Sequence, residues 1–266
     1  MITRLLAAAI GLAIVLPVLV WGRTFGLDLL LAIVLVLGAD EYAKMTLPSH
    51  RVAARALLSM YGSALLFAVL YGTTFAVLGA LAIGLIVLLG WSLFAVPDTA
   101  EGGRAAAYMA LGFFYVPFLL SFIGQLRRFE SGLGWIFLLL VITWFGDTGA
   151  YLAGRAFGRT KLLERVSPNK TREGAMGGLL LAIAGACLVK GLALERVPWA
   201  HAVALGILVD AAGVIGDLFE SMLKRSFDVK DTGSILPGHG GILDRIDSLL
   251  FAAPVAWCYA KAFGLG

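Results

Sequence analysis

Three groups of residues in this 266-residue chain have the types and spacing to do chemistry. The first closes a long apolar run with Asp210, Asp217, Glu220, Ser221, Lys224 and Arg225. Asp210, Asp217, Ser221 and Lys224 follow one another at seven, four and three residues, a spacing that places them on one helical face. An ionisable group at membrane depth is costly unless it meets a partner, an ion or a water-filled cavity, so Asp217 reads as functional. An internal pair from Asp217 or Glu220 to Lys224 is the structural alternative, and for Asp210 the two readings balance.

The second group follows directly. From Lys230 and Asp231 to Pro237, His239, Gly240, Gly241, Asp244, Arg245 and Asp247, a glycine-rich loop opens a helix with two carboxylates one turn apart. Glycines let backbone N–H groups approach an anion, a helix N-terminus adds positive potential, and carboxylate oxygens suit a hard ion such as Mg²⁺ better than Zn²⁺. Plain charge compensation at a helix N-terminus is the bland reading of Asp244 and Asp247, and a His such as His239, taken alone, is more often a loop hydrogen-bonder than a ligand. The third group starts at Thr143 and includes Asp147, Thr148, Tyr151, Arg155, Gly158, Lys161, Ser167, Pro168, Lys170, Thr171, Glu173 and Gly174. Asp147, Tyr151 and Arg155 recur every four residues on one stripe. A buried Asp paired with an Arg, and an ordinary turn at Ser167–Pro168, are the structural alternatives. What favours function is convergence on one face: cations for a polyphosphate and carboxylates for its metal.

Most of the remaining chain must position these groups within a membrane. Hydrophobic residues make up 60% of the chain and charged residues 14%, and the mean hydropathy is +0.92. These values exclude an ordinary soluble domain and predict an all-α, polytopic helical bundle. Apolar runs fall near 5–21, 25–38, 53–71, 73–96, 105–123, 133–154, 175–194, 200–222 and 248–264. Nine transmembrane helices are expected, or eight if the run at 25–38, which Asp28 interrupts, does not span. The first run lacks a small-residue cleavage site and is expected to be retained. Cys187 and Cys258 sit in apolar stretches with no CxxC or His partner, which excludes a zinc cage or disulfide scaffold. The formal charge of +4 comes without a basic run interleaved with aromatics, so no nucleic-acid partner is expected.

With nine spans, the face carrying the loops near 155–174 and 223–247 holds fifteen basic residues against six on the other. The positive-inside rule puts those two loops in the cytoplasm. Of the 38 charged residues, 23 lie between Thr143 and Asp247, and glycines with Arg127, Arg128 and Glu130 break the apolar pattern before that stretch. The chain therefore divides, in expectation, into an N-terminal transmembrane scaffold over 1–128 and a C-terminal catalytic region over 129–266.

The stretch from Ser221 through Lys224-Arg225, Lys230-Asp231, Pro237, His239-Gly240-Gly241 and Asp244-Arg245 to Asp247 closely resembles the long C-terminal pattern of the CTP:phosphatidate cytidylyltransferases, the CDP-diacylglycerol synthases. Asp147-Thr148, Tyr151, Gly154-Arg155, Gly158, Lys161, Ser167-Pro168, Lys170-Thr171 and Glu173-Gly174 also resemble that family, so the likeness covers about residues 143–247. The first 130 residues match it only as a series of spans.

The resemblance implies transfer of the cytidylyl group of CTP to phosphatidate, giving CDP-diacylglycerol and pyrophosphate. It implies divalent metal, Mg²⁺ as one ion or two, at Asp217 and Asp244 with Asp247, and a catalytic set of Lys224, Arg225, Asp217 and Asp244. Ser221, Lys230, Asp231, His239 and Arg245 would join Asp147, Tyr151, Arg155, Lys161, Ser167, Lys170 and Thr171 in holding substrate. A phosphate monoester is already ionised near neutral pH, so such a reaction needs positioning and charge neutralisation more than a general base. The pocket must open to cytosolic CTP and sideways to membrane lipid, which fits a bacterial cytoplasmic membrane with the site facing inward. A CTP-using lipid-alcohol kinase is the nearest rival, an ion-coupled transporter using Asp147, Asp210 and Asp217 a more distant one. The spaced-aspartate pattern of the CDP-alcohol transferases is absent. Small residues along the first five spans serve either a homodimer contact or packing within one chain.

Overall fold

Backbone N–H and C=O groups find no water in lipid, so apolar runs of this length are constrained to helix. The computed structural model describes residue 13 and residues 15–233 and 240–266, and these are helical almost throughout. The run expected at 5–21 lies largely outside the described residues, as does His239. Each later run falls on helix. In chain order these are α1 (Arg23–Thr46), a 3₁₀ turn (Pro48–His50), α2 (Arg51–Tyr71), α3 (Thr74–Ala95), α4 (Thr99–Phe113), a π-helical turn (Phe114–Phe118) and α5 (Leu119–Arg127). Then come α6 (Gly132–Phe157), strands β1 (Lys161–Leu163) and β2 (Ser167–Thr171), α7 (Arg172–Ala193), α8 (Trp199–Ser226) and α9 (Leu243–Ala262).

Among the described residues six helical stretches are long and apolar enough to cross a membrane: Pro48–Tyr71, Thr74–Ala95, Thr99–Arg127, Gly132–Phe157, Arg172–Ala193 and Trp199–Ser226. The chain is an all-α polytopic membrane protein. Its helices expose large apolar side chains that a water-soluble surface would not tolerate; on α3 alone Phe75, Leu78, Ile83, Ile86, Leu93 and Phe94 are exposed. Helices α1 and α9 occupy two further expected spans but carry several ionisable residues each, and neither is among the six.

The chain divides into two compact units. One comprises Met1–Gln125 with Val229–Arg245, the other Leu126–Asp228 with Ile246–Gly266. The first break thus falls a few residues before the expected 128/129, and 229–245 groups with the N-terminal part, whereas the sequence placed that loop in the C-terminal region.

In the first unit α1 is continuous where Asp28 was expected to interrupt it. Asp28 is buried, and the Tyr71 hydroxyl of α2 donates to its carboxylate, which offsets its desolvation. The helix then runs on to Thr46, so residues 39–46, expected in a loop, form its last turns and carry Glu41 into the interior. Asp40, one residue earlier and so turned away, binds Arg51 at 2.6 Å and Arg55 at 3.6 Å. Asp98 accepts from the Glu101 N–H at 2.8 Å and starts α4. Pro117 cannot supply an intrahelical N–H, and the helix passes it as the π-helical turn.

In the second unit α6 and α7 lie backbone against backbone. Gly146 and Gly149 of α6 face Gly177 and Gly178 of α7, and a Cβ at Gly149 would stand 2.5 Å from the Gly177 carbonyl oxygen. Small residues permit this approach in a medium where packing, not the hydrophobic effect, joins helices. Between these helices the expected loop 155–174 contains an antiparallel hairpin, with Lys161 opposite Thr171 and Leu163 opposite Ser167. The Ser167–Pro168 step read as a turn is strand β2, and Pro168 fits because a two-stranded ribbon leaves one edge of each strand unpaired. Thr171 ends β2 and caps α7, its Oγ1 accepting from the Gly174 N–H at 3.1 Å. Helix α8 ends at Ser226, and two residues on Asp228 takes a left-handed φ of 53° that turns the chain away.

Candidate functional site

The second unit holds a cavity of about 600 Å³. Helix α6 contributes Gly146, Asp147, Tyr151 and Arg155, the hairpin Ser167, Asn169, Lys170 and Thr171, and α8 Asp210 and Asp217. Seven of the expected site residues, Asp147, Tyr151, Arg155, Ser167, Lys170, Thr171 and Asp217, therefore line one space. The four-residue stripe on α6 is intact: Arg155 Nη1 donates to the Tyr151 hydroxyl at 3.1 Å. Asp147 and Arg155 are both exposed, which sets aside the alternative of a buried Asp held by that Arg.

The local fold explains how the hairpin delivers its groups. Glu173, in the first turn of α7, accepts the backbone N–H of Arg159 at 3.1 Å and that of Thr160 at 3.1–3.2 Å, tying the end of α6 to the start of β1. The Arg172 N–H donates to the Thr160 carbonyl at 2.8 Å. Lys161 turns to the Pro168 carbonyl within the hairpin and is not on the cavity wall. Lys170, from the paired end of β2, reaches α8 and forms an ion pair with Asp217. Both partners are half-buried, so neither charge is fully desolvated.

Asp217 Oδ1 also accepts from Ser221 at 3.4 Å. One turn on, buried Glu220 pairs with Lys224 at 3.4 Å. Of the two internal pairings the sequence allowed for Lys224, the structure makes this one. Asp247, just ahead of the run at 248–264, belongs to the same cluster. Burial raises its carboxyl above the usual carboxylate range; a hydrogen bond with Glu220 opposes the rise, Asp217 adds to it, and Lys224 opposes it. Arg225 is exposed at the end of α8. Among the described residues no three or more His, Cys, Asp or Glu side chains converge into a ready metal cage.

In the first unit, Lys230, Asp231 and Arg245 are exposed. Asp244, half-buried in the first turn of α9, organises the loop: its Oδ2 accepts from Thr232 N–H at 3.0 Å, Thr232 Oγ1 at 2.9 Å and Gly241 N–H at 2.8 Å. Beside it stands a residue the sequence assigned to scaffold. Glu41 of α1, only 2% exposed, accepts from Ile242 N–H and Leu243 N–H, each at 2.9 Å, and from Thr232 Oγ1 at 3.1 Å. It is an N-cap supplied from another helix. The one signal for it in the sequence is the Asp40-Glu41 pair at the end of an apolar run: adjacent helical positions point about 100° apart, so a carboxylate pair there turns one member inward.

Comparison with known proteins places this geometry in context. Residues 2–263 match the model of the cytidylyltransferase family. A protein of Bacillus subtilis named phosphatidate cytidylyltransferase is 40% identical over 157 residues, 59% of this chain and 58% of that protein. One of the same name from Brucella suis is 42% identical over 164 residues, 61% of this chain and 60% of the relative. A third, from Thermotoga maritima, is 37% identical over 202 residues, 74% of each. The match thus spans about three fifths of the length of the first two relatives and about three quarters of the third. A family match over nearly the whole length, from ahead of α1 to the end of α9, settles the kinship: the chain belongs to the cytidylyltransferase family.

Proposed function

We propose that this membrane protein transfers the cytidylyl group of CTP to phosphatidate, forming CDP-diacylglycerol and pyrophosphate. The observation that carries the reading is the second unit's cavity, where Lys170 pairs with the Asp217 carboxylate and Arg155 lines the same space, in a chain whose relatives bear the name phosphatidate cytidylyltransferase. In the reaction a phosphate oxygen of phosphatidate forms a bond to the α-phosphorus of CTP, the bond from that phosphorus to the β-phosphate's bridging oxygen breaks, and pyrophosphate leaves with its electrons. Every participant is anionic, so the barrier to bringing them together is largely repulsion, and fixed cations lower it.

Lys170 is held by Asp217 at the wall until phosphate oxygens compete for its ammonium. Arg155, exposed at the end of the Asp147–Tyr151 stripe, offers a planar fork suited to phosphate. Lys224 and Arg225 place two more positive charges at the last turn of α8. Asp217 and Asp247, both in the second unit, would supply oxygen donors that a Mg²⁺ ion accepts. Mg²⁺ is commonly held by one or two carboxylates with substrate phosphates and water completing the shell, a number these two side chains meet. When bound, the ion neutralises phosphate charge. The clustering of basic residues on the loops at 155–174 and 223–247 supports a site facing the cytoplasm of a bacterial cell, where CTP is found.

The test is to incubate the detergent-purified protein with phosphatidate, Mg²⁺ and CTP labelled at either the α- or the γ-phosphate. Label from the α-position is expected in the lipid extract and label from the γ-position in pyrophosphate. Transfer of γ-label to a supplied lipid alcohol, or no transfer of either label, overturns the reading.

A further inference from the structure

Asp210 sits on α8 seven residues before Asp217, lines the cavity and is only 7% exposed. Among the described residues it has no hydrogen-bond or ion-pair partner, and its electrostatic neighbour is Asp147, a group of the same sign. Buried polar groups are nearly always satisfied, and an ionised carboxylate can only accept. Neither cation of the cavity pairs with Asp210: Lys170 is on Asp217, and Arg155, exposed at the far end of the α6 stripe, donates to the Tyr151 hydroxyl.

The backbone makes room for this carboxylate. A Cβ on Gly146 would stand 2.2 Å from Asp210 Oδ1, so the oxygen occupies the space that any side chain at position 146 would take. The result is an acceptor held on the wall of a cavity that receives no donor from the described residues.

We infer that Asp210 receives a hydrogen-bond donor carried by the nucleotide, an N–H of the base or an O–H of the sugar. The inference rests on the cytidylyl-transfer reading for the identity of the ligand. Charge decides which part of a nucleotide lies there. Asp147 and Asp210 repel phosphates, which go to the Lys170 and Arg155 side of the cavity, and the uncharged, donor-bearing base or sugar is left facing Asp210. A cytosine presents an exocyclic amine where uracil presents a carbonyl oxygen, and a carboxylate accepts from the first and repels the second. A ribose presents a 2′-hydroxyl that a deoxyribose lacks. In either case Asp210 sets selectivity, because a site built around a hydrogen bond discriminates strongly against a ligand that leaves the buried group unpaired.

The experiment measures kcat/KM for CTP, UTP and dCTP with phosphatidate, in the wild type and in Asp210→Asn. The substitution keeps shape and puts an N–H₂ in place of one oxygen. A fall of about tenfold or more in the CTP/UTP ratio, with UTP use rising, assigns the donor to the base amine; a like fall in the CTP/dCTP ratio assigns it to the sugar. Both ratios unchanged overturns the inference, whether or not the overall rate drops, since a structural role lowers all three nucleotides alike. Gly146→Ala is the second variant: it displaces the carboxylate without removing it and is expected to shift the same ratio. A wild type that turns over none of the three nucleotides defeats the cytidylyl-transfer reading separately, and equilibrium binding of the same nucleotides to wild type and Asp210→Asn then decides for Asp210 by the same ratios.

Discussion

Glu41 has both carboxylate oxygens committed: one to Ile242, the other to Thr232 and Leu243. Glu41→Ala leaves two N–H groups at the start of α9 without an acceptor and the Thr232 hydroxyl with Asp244 alone, and each unpaired N–H costs about 1–3 kcal/mol. We expect a lower unfolding temperature in detergent and faster amide exchange at Ile242 and Leu243, with Glu41→Gln, which keeps one acceptor oxygen, in between; unchanged exchange in the Ala variant contradicts the capping role. Lys170 calls for a different readout. Removing its charge in Lys170→Met is expected to raise the KM for CTP several-fold with a smaller change in kcat, and Lys170→Arg to recover part of it. An unaltered KM reduces Lys170 to a brace for Asp217. The contrast between these residues marks what spacing along the chain conveys. Asp217, Ser221 and Lys224 are legible because a helix brings them together within two turns. The Lys170–Asp217 pair and the Glu41–Leu243 cap join positions far apart in sequence, and only the fold makes them neighbours.

Between α6 and α7 the sequence suggests a basic loop, and the chain builds a hairpin. The strands are too short, at three and five residues, and too polar to show an alternating pattern, and Pro168 argues locally against a strand. What holds them is Glu173 on the backbone of Arg159 and Thr160, with Thr171 capping the helix that follows. This element presents Ser167, Asn169 and Lys170 to the cavity, so its order bears on substrate binding more than on global stability. Glu173→Ala is expected to leave the unfolding temperature of the detergent-solubilised protein near that of the wild type while weakening CTP binding several-fold, measured by titration. Binding at wild-type strength shows that the hairpin keeps its place without that anchor. The helices are the opposite case. The positions of the described helices follow largely from hydropathy, because lipid allows an apolar segment no other satisfied backbone, and the departures come where charge sits inside a helix: Asp28 and Glu41 in α1, Asp244 and Asp247 in α9.

For the molecule as a whole, the membrane class is legible in composition, whereas the grouping of 229–245 with the N-terminal unit is not, since it rests on contacts such as Glu41 to Thr232 that local pattern cannot register. Orientation is a separate matter of charge and crossing number. Helix α7 has 22 residues and α8 has 28, and at about 1.5 Å per residue each is longer than the roughly 30 Å hydrocarbon layer. A chain that crosses through α7 and returns through α8 brings the hairpin tip at Glu164 and the end of α8 at Ser226 to the same side, with Glu195 on the other. On the orientation proposed above, the excess of Lys and Arg on the loops at 155–174 and 223–247 assigns that shared side to the cytoplasm. With Cys187 and Cys258 replaced by alanine, single cysteines at Glu164, Glu195 and Ser226 can be challenged with a membrane-impermeant thiol reagent on intact bacterial cells. Glu195→Cys is expected to react at once, and Glu164→Cys and Ser226→Cys only after the membrane is permeabilised. Reaction of all three in intact cells, or opposite behaviour of positions 164 and 226, breaks the two-crossing topology. A clean inversion, with 164 and 226 reacting and 195 protected, keeps the topology but turns the cavity of Lys170 and Asp217 away from cytosolic CTP, and the proposed reaction falls with it.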